Sequence, residues 1–140
     1  MIFVFAALII SGCKTSKKVT GTTNSTTESK VYGAVLSGSW QVQHLWGVDD
    51  ASLKPSFIQI NFTDKTFTGN SGCNDISGTL NLTTENIYFN KNITTGSAPC
   101  TGYNEKGFTN LLIRINQFNV ENNVLELSQD NIVLISFKKK

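Results

Sequence analysis

Gly69-Asn70-Ser71-Gly72-Cys73-Asn74-Asp75-Ile76-Ser77-Gly78 places three glycines, two asparagines and a cysteine within ten residues. Glycine takes positive φ without steric cost, and Asn and Asp tolerate it next best. Gly69, Gly72 and Gly78 therefore predict a tight turn, a bulge or a close approach of two backbones. Phe67 lies just before the stretch, and Ile76, Leu80 and Leu82 follow with polar residues between them. That alternation predicts strands on both sides. Cys73 then sits at a structural turn, buried or bridged; the competing reading is a reactive or metal-binding thiol.

Outward from this stretch, short alternating runs continue. Trp40 and Val42 share one face of Trp40–Leu45, and Leu45 breaks the period, which places a bulge or strand end near His44. Asp49-Asp50 open a polar loop. Ile58, Ile60 and Phe62 point inward on the next run, and Asp64-Lys65 reads as a hairpin turn into Thr66-Phe67-Thr68. Strands follow at Gly78–Leu82 and Ile87–Phe89. Asn122-Asn123 and Asp130-Asn131 are turn pairs separating three closing strands, Gln117–Glu121, Val124–Ser128 and Ile132–Lys138. Phe108, Leu111, Leu112 and Ile115 fall instead at helical spacing, with Glu105 at the end where the helix dipole favours a negative charge. The fold expected is mainly β: an antiparallel, barrel-like sheet of about eight strands, with one amphipathic helix over about residues 103–115 packed on it or plugging it.

The N-terminus has a different composition. Ile2 to Ile10 is an unbroken apolar run, too short for the roughly 20 residues that span a bilayer core. It suits the apolar region of a signal peptide, although no Lys or Arg lies between Met1 and Cys13. Ile10-Ser11-Gly12-Cys13 resembles a bacterial lipobox, which implies cleavage before Cys13 and acylation of that residue. Several acyl chains hold a soluble domain at a membrane where one would not. The competing reading is a short membrane or buried helix. Lys14 follows where aspartate is the usual inner-membrane retention signal, so the outer membrane is the expected destination. Lys14 to Glu28 has Val19 as its only apolar residue and is expected to be a flexible tether. The organisation expected is a signal peptide over 1–12, an anchored tether over 13–37 and one domain over 38–140.

Several pieces of that domain resemble one family. Gly72-Cys73-Asn74 with Gly78 is similar to the Gly-Cys-Asn…Gly signature of the META (HslJ-like) domain of bacterial envelope proteins. Gly38-Ser39-Trp40 with Leu45 and Gly47, Pro55 to Phe62, and Thr94-Thr95 with Pro99-Cys100 fall in the family's order. So do Glu105, Phe108 and Leu112, and then Leu125-Glu126-Leu127 and Ile135-Ser136-Phe137. Pro99 departs from the methionine and small residue often found there, which bears on the local loop. The resemblance implies the same barrel-like architecture. It also implies a non-enzymatic envelope protein with a structural or stress-related role, relatives being associated with heat shock, motility or antibiotic tolerance.

The chain has three cysteines, one of them the expected anchor. An exported protein meets an oxidising compartment, so Cys73 and Cys100 are expected to form a disulfide. The rival reading is two neighbouring thiols left unbridged.

Other chemistry is sparse. His44 is the only histidine, which with Cys73 and Cys100 does not make a usual zinc site, so no metal or cofactor is expected. No Gly-x-Ser-x-Gly elbow, phosphate loop or dinucleotide fingerprint occurs. Asp49-Asp50, Asp64 and Asp75 are scattered, and an enzyme would need His44 to converge with two carboxylates. The formal net charge is +2, including the Lys138-Lys139-Lys140 tail, and no basic stripe suited to nucleic acid is present. The Asn-x-Thr sequons at Asn61, Asn81 and Asn92 carry little weight in a bacterial lipoprotein. Trp46, Tyr88 and Tyr103 are expected to be partly exposed, packing at an edge or lining a ligand or partner surface. The expectation is therefore a non-enzymatic lipoprotein of the cell envelope that meets the membrane through its lipid. The alternative is a binding module for a small apolar ligand or a protein partner, because a closed sheet offers a mouth or cavity.

Overall fold

The computed structural model describes residues 32–102 and 105–140. The expected leader, the lipidation residue Cys13, most of the expected tether, and Tyr103 lie outside the described residues.

A helical segment over residues 32–36 (α1) leads into β1 (Gly38–Leu45). Then follow β2 (Phe57–Asn61), β3 (Thr66–Asn70), β4 (Asp75–Leu82), β5 (Ile87–Phe89) and β6 (Thr94–Thr95). Helix α2 (Glu105–Leu112) precedes β7 (Gln117–Glu121), β8 (Val124–Gln129) and β9 (Ile132–Lys139). Every pairing is antiparallel, and the strands run in the order β5-β4-β3-β2-β1-β9-β8-β7. The first and last strands pair with each other, joining two meanders into one curved sheet. The end strands β5 and β7 approach each other, so the eight strands form a nearly closed antiparallel barrel. Strand β6 lies off this path: it pairs the first half of β4, at Ile76↔Thr95, while β5 pairs the second half, at Leu80↔Phe89.

Alternation places the core inside. Trp40, Ile58, Ile60, Phe67, Ile76, Leu80, Leu125, Leu127 and Phe137 are all buried. The break in period after Val42 is a β-bulge: Val42 faces Phe137 and His44 faces Ser136, so Gln43 is the extra residue and Leu45 is turned inward. A second bulge, opposite Leu127/Ser128, leaves Leu134 and Ile135 both buried. The Asn122-Asn123 and Asp130-Asn131 pairs take positive φ at both residues, the geometry that matches the twist of a two-residue hairpin. At the longer β2–β3 turn, over residues 62–65, Lys65 takes positive φ while Asp64 does not.

Helix α2 buries Phe108, Leu111 and Leu112, and these, with Ile115, join the barrel core. It is shorter than its apolar stripe predicts. Arg114 N–H donates to the Leu111 carbonyl and Ile115 N–H to Leu112, so the last turn tightens to i→i−3 bonds while Ile115 stays buried. Two other boundaries move. Residues 32–37, within the bounds expected for the tether, belong to the folded body: Leu36 is buried, and its carbonyl accepts the Trp40 indole N–H at 2.8 Å. Phe62, expected inward, lies past the end of β2 and is half-buried. Its ring covers Gly33, where an added Cβ would come within 2.4 Å of it.

Candidate functional site

The ten-residue stretch resolves into strand, connector and strand. Strand β3 runs to Asn70 and β4 starts at Asp75, leaving only Ser71–Asn74 between them. The three glycines divide between two roles. Gly72 has φ +96° and makes the turn, its N–H donating to Asn70 Oδ1 at 2.8 Å. Gly69 and Gly78 lie inside strands and allow close approach. A Cβ on Gly69 would stand 2.2 Å from the Phe57 carbonyl oxygen, and one on Gly78 would stand 2.8 Å from the Phe67 ring. Phe67 lies across from Gly78 and packs edge-on against Phe89.

The connector carries a buried polar cluster. Ser71 is fully buried, and its Oγ lies 2.7 Å from Glu105 Oε1 and accepts from Asn74 N–H at 3.2 Å. Ser71 N–H closes the turn on the Asn74 carbonyl at 2.9 Å. The Asn74 side chain, 6% exposed, imitates a strand partner for Ala98. Its Oδ1 accepts from Ala98 N–H at 3.0 Å and its Nδ2 donates to the Ala98 carbonyl at 2.9 Å. The second Nδ2 hydrogen goes to Glu105 Oε2 at 3.0 Å. Glu105, the first residue of α2, thus uses one oxygen on Ser71 and the other on Asn74. Gly96 makes room for this: a Cβ there would stand 2.7 Å from Asn74 Oδ1.

A disulfide joins Cys73 to Cys100 across the same corner, with their Cα atoms 5.8 Å apart. It ties the connector to the segment that enters α2. The structure therefore brings Gly72, Cys73, Asn74, Cys100 and Glu105 into one corner, while Gly78 serves the core one strand further on. Sequence reasoning missed Ser71, Gly96 and Ala98. Ser71 directly precedes the Gly-Cys-Asn signature, but only the fold brings Glu105, 34 residues away, against its hydroxyl.

Elsewhere, His44 Nδ1 lies 2.8 Å from Asp50 Oδ1, with both side chains substantially exposed. Among the described residues, no three His, Cys, Asp or Glu side chains converge so as to hold a metal ion. Trp46 and Tyr88 are 52% and 46% exposed. Trp46 stands over a cleft of about 500 Å³ lined by Leu45, Val48, Asn110, Leu111 and Arg114 among others. The guanidinium carbon of Arg114 lies 5.8 Å from the centre of the Trp46 ring.

A nearly closed antiparallel barrel, clamped by a disulfide beside a buried Ser–Asn–Glu cluster, defines the class of this protein. The chain belongs to the META domain family, whose model matches residues 34–140. The match begins within α1, in keeping with the packing of Leu36. No curated protein matches the chain. Three solved structures share the fold. A protein from Burkholderia xenovorans, determined by NMR, superposes with a TM-score of 0.59 at 17% identity, over 94% of this chain and 99% of its own. A DUF4847 family protein from Bacteroides vulgatus, determined by crystallography, gives 0.56 at 21% identity, over 79% of this chain and 97% of its own. A third protein, determined by NMR, gives 0.55 at 18% identity, over 76% and 92%.

Proposed function

We propose that this META domain is a non-enzymatic module of the bacterial cell envelope, carried on a lipid at Cys13, with a structural or stress-related role. The observation that carries this reading is how the signature residues are used. Gly72, Cys73, Asn74 and Glu105 bind one another and the backbone, and their polar groups are committed to holding the connector against Ala98 and α2. Such a cluster maintains a fold and leaves little to offer a substrate. The disulfide suits an oxidising compartment, and the Ile10-Ser11-Gly12-Cys13 sequence supports lipidation as the route there.

The test is metabolic. Expressed with its own leader in a bacterial host, the protein should incorporate an alkynyl palmitate and sediment with envelope membranes. Cys13→Ser should abolish both. Membrane association that survives Cys13→Ser would overturn the anchoring claim.

The cleft beneath Trp46 favours a second reading, a binding module for a small apolar ligand or a protein partner. A cleft of about 500 Å³ lies within the range of small-molecule sites, roughly 300–1,000 Å³.

A further inference from the structure

We propose that the cleft beside α2 binds a small carboxylate with an apolar body, the body resting against Trp46 and the carboxylate meeting Arg114. The proposal deepens the binding reading above and rests on it. The floor is apolar, formed by Leu45 and Leu111, 2% and 7% exposed, with the partly buried Val48 beside them. Over it stands Trp46, a large apolar surface left half in solvent, whose backbone is pinned by its N–H bond to the Leu134 carbonyl at 2.8 Å. At the wall, an added Cβ on Gly47 or Gly102 would meet no atom of the described residues within 4 Å.

Charge selects the head group. Arg114 is the one charged residue among the described residues that line the cleft. Its Nε donates to Gln129 Oε1 at 2.9 Å, which leaves the terminal nitrogens as the edge facing away from that bond. Among the described residues, its terminal nitrogens and the Trp46 indole N–H have no hydrogen-bond partner. The Asp50 carboxylate faces His44. An oriented guanidinium with free terminal nitrogens matches the two oxygens of a carboxylate. An indole face takes a flat apolar body at little entropic cost, since its side chain has only two torsions.

The two tryptophans make the test direct. Trp40 is buried and its indole N–H is bonded to Leu36, so it serves as an internal control for Trp46. The chain from residue 13 onward, carrying Cys13→Ser, retains every residue of the core and is labelled with nitrogen-15. It is titrated with naphthalene-2-carboxylate and, separately, with the neutral naphthalene-2-carboxamide. The expected result is that the Trp46 indole N–H signal shifts and that of Trp40 does not. The carboxylate should bind about tenfold more tightly than the amide, the order expected of a charge-assisted hydrogen bond. Arg114→Gln should bring the two affinities within about twofold of each other, as loss of a charged donor predicts, and Trp46→Ala, followed through the backbone amide signals of Leu111 and Arg114, should abolish both. Equal binding of acid and amide at Trp46 in the unsubstituted protein would overturn the carboxylate proposal and leave the binding reading standing. No shift with either probe would overturn both. Acid preference persisting in Arg114→Gln would place the head group elsewhere and overturn the assignment of Arg114.

Discussion

The two ends of α2 differ in what their polar groups do. At its start, Glu105 has both carboxylate oxygens taken by Ser71 and Asn74, and the disulfide closes over them. Just past its end, Arg114 spends one nitrogen on Gln129 and stands at an open cleft beside an exposed tryptophan. The corner is where the family signature lies, and it is fully committed internally. The cleft lies outside the Gly-Cys-Asn…Gly signature and keeps donors in reserve. Signature residues here report on how the barrel is held together, while the proposed binding contacts lie at the cleft.

If that contrast holds, damage at the corner should cost stability and damage at the cleft should not. The largest effect is expected from removing the crosslink. Cys73 and Cys100 are separated by 27 residues in sequence, a loop for which chain entropy predicts about 3–4 kcal/mol as an upper guide. Urea unfolding of the Cys73→Ala/Cys100→Ala protein, compared with the oxidised parent, measures it. A change under about 1 kcal/mol would mean that the hydrogen bonds alone hold the corner.

Next comes Asn74→Ala, which leaves the Ala98 N–H and a Glu105 oxygen without their partner and should cost about 2–3 kcal/mol. Asn74→Asp should be worse than Asn74→Ala at neutral pH. It removes the donor to Ala98 and sets a second carboxylate against Glu105. The reverse order in thermal melts would show that the amide's donor is not what matters.

Gly78→Ala should cost about 1–2 kcal/mol by pushing the Phe67 ring off Phe89. The Phe67 aromatic proton shifts should move with it. The smallest effect is expected at the cleft, where Arg114→Gln, at an exposed position, should change stability by no more than about 0.5 kcal/mol. A larger loss would make Arg114 part of the scaffold and blur the contrast.

How much of this was legible in the sequence depends on the range of the interactions involved. The closing hairpins were, because Asn122-Asn123 and Asp130-Asn131 carry their own turn chemistry. The bulge at His44 was too, since Leu45 breaks a local period. The helix was recognised from its apolar stripe, though the stripe outlasts the helix by one tight turn ending at Ile115. Strand β6 was not legible: two threonines show no period, and their pairing is set by β4. The start of β4 was masked by polar residues, Asn70 and Asp75, which pair across the strands and bond through their side chains. Segment 32–36 was not separable from the tether, because what it packs against, Phe62 lying on Gly33, comes from just past the end of β2. At the corner, Glu105 is legible as an acid suited to the helix dipole and as part of the resemblance to the family. Its long-range partners, Ser71 and Asn74, appear only in three dimensions.

A double-mutant cycle between Asn74 and Glu105 probes the corner most directly. Asn74→Ala, Glu105→Ala and the pair would be unfolded in urea under oxidising conditions, with the disulfide intact. If the two residues clamp the connector to α2 as one unit, their effects should fall short of additivity by about 1–3 kcal/mol. Additive losses, with a coupling near zero, would contradict a signature whose role is to hold the barrel closed at this corner.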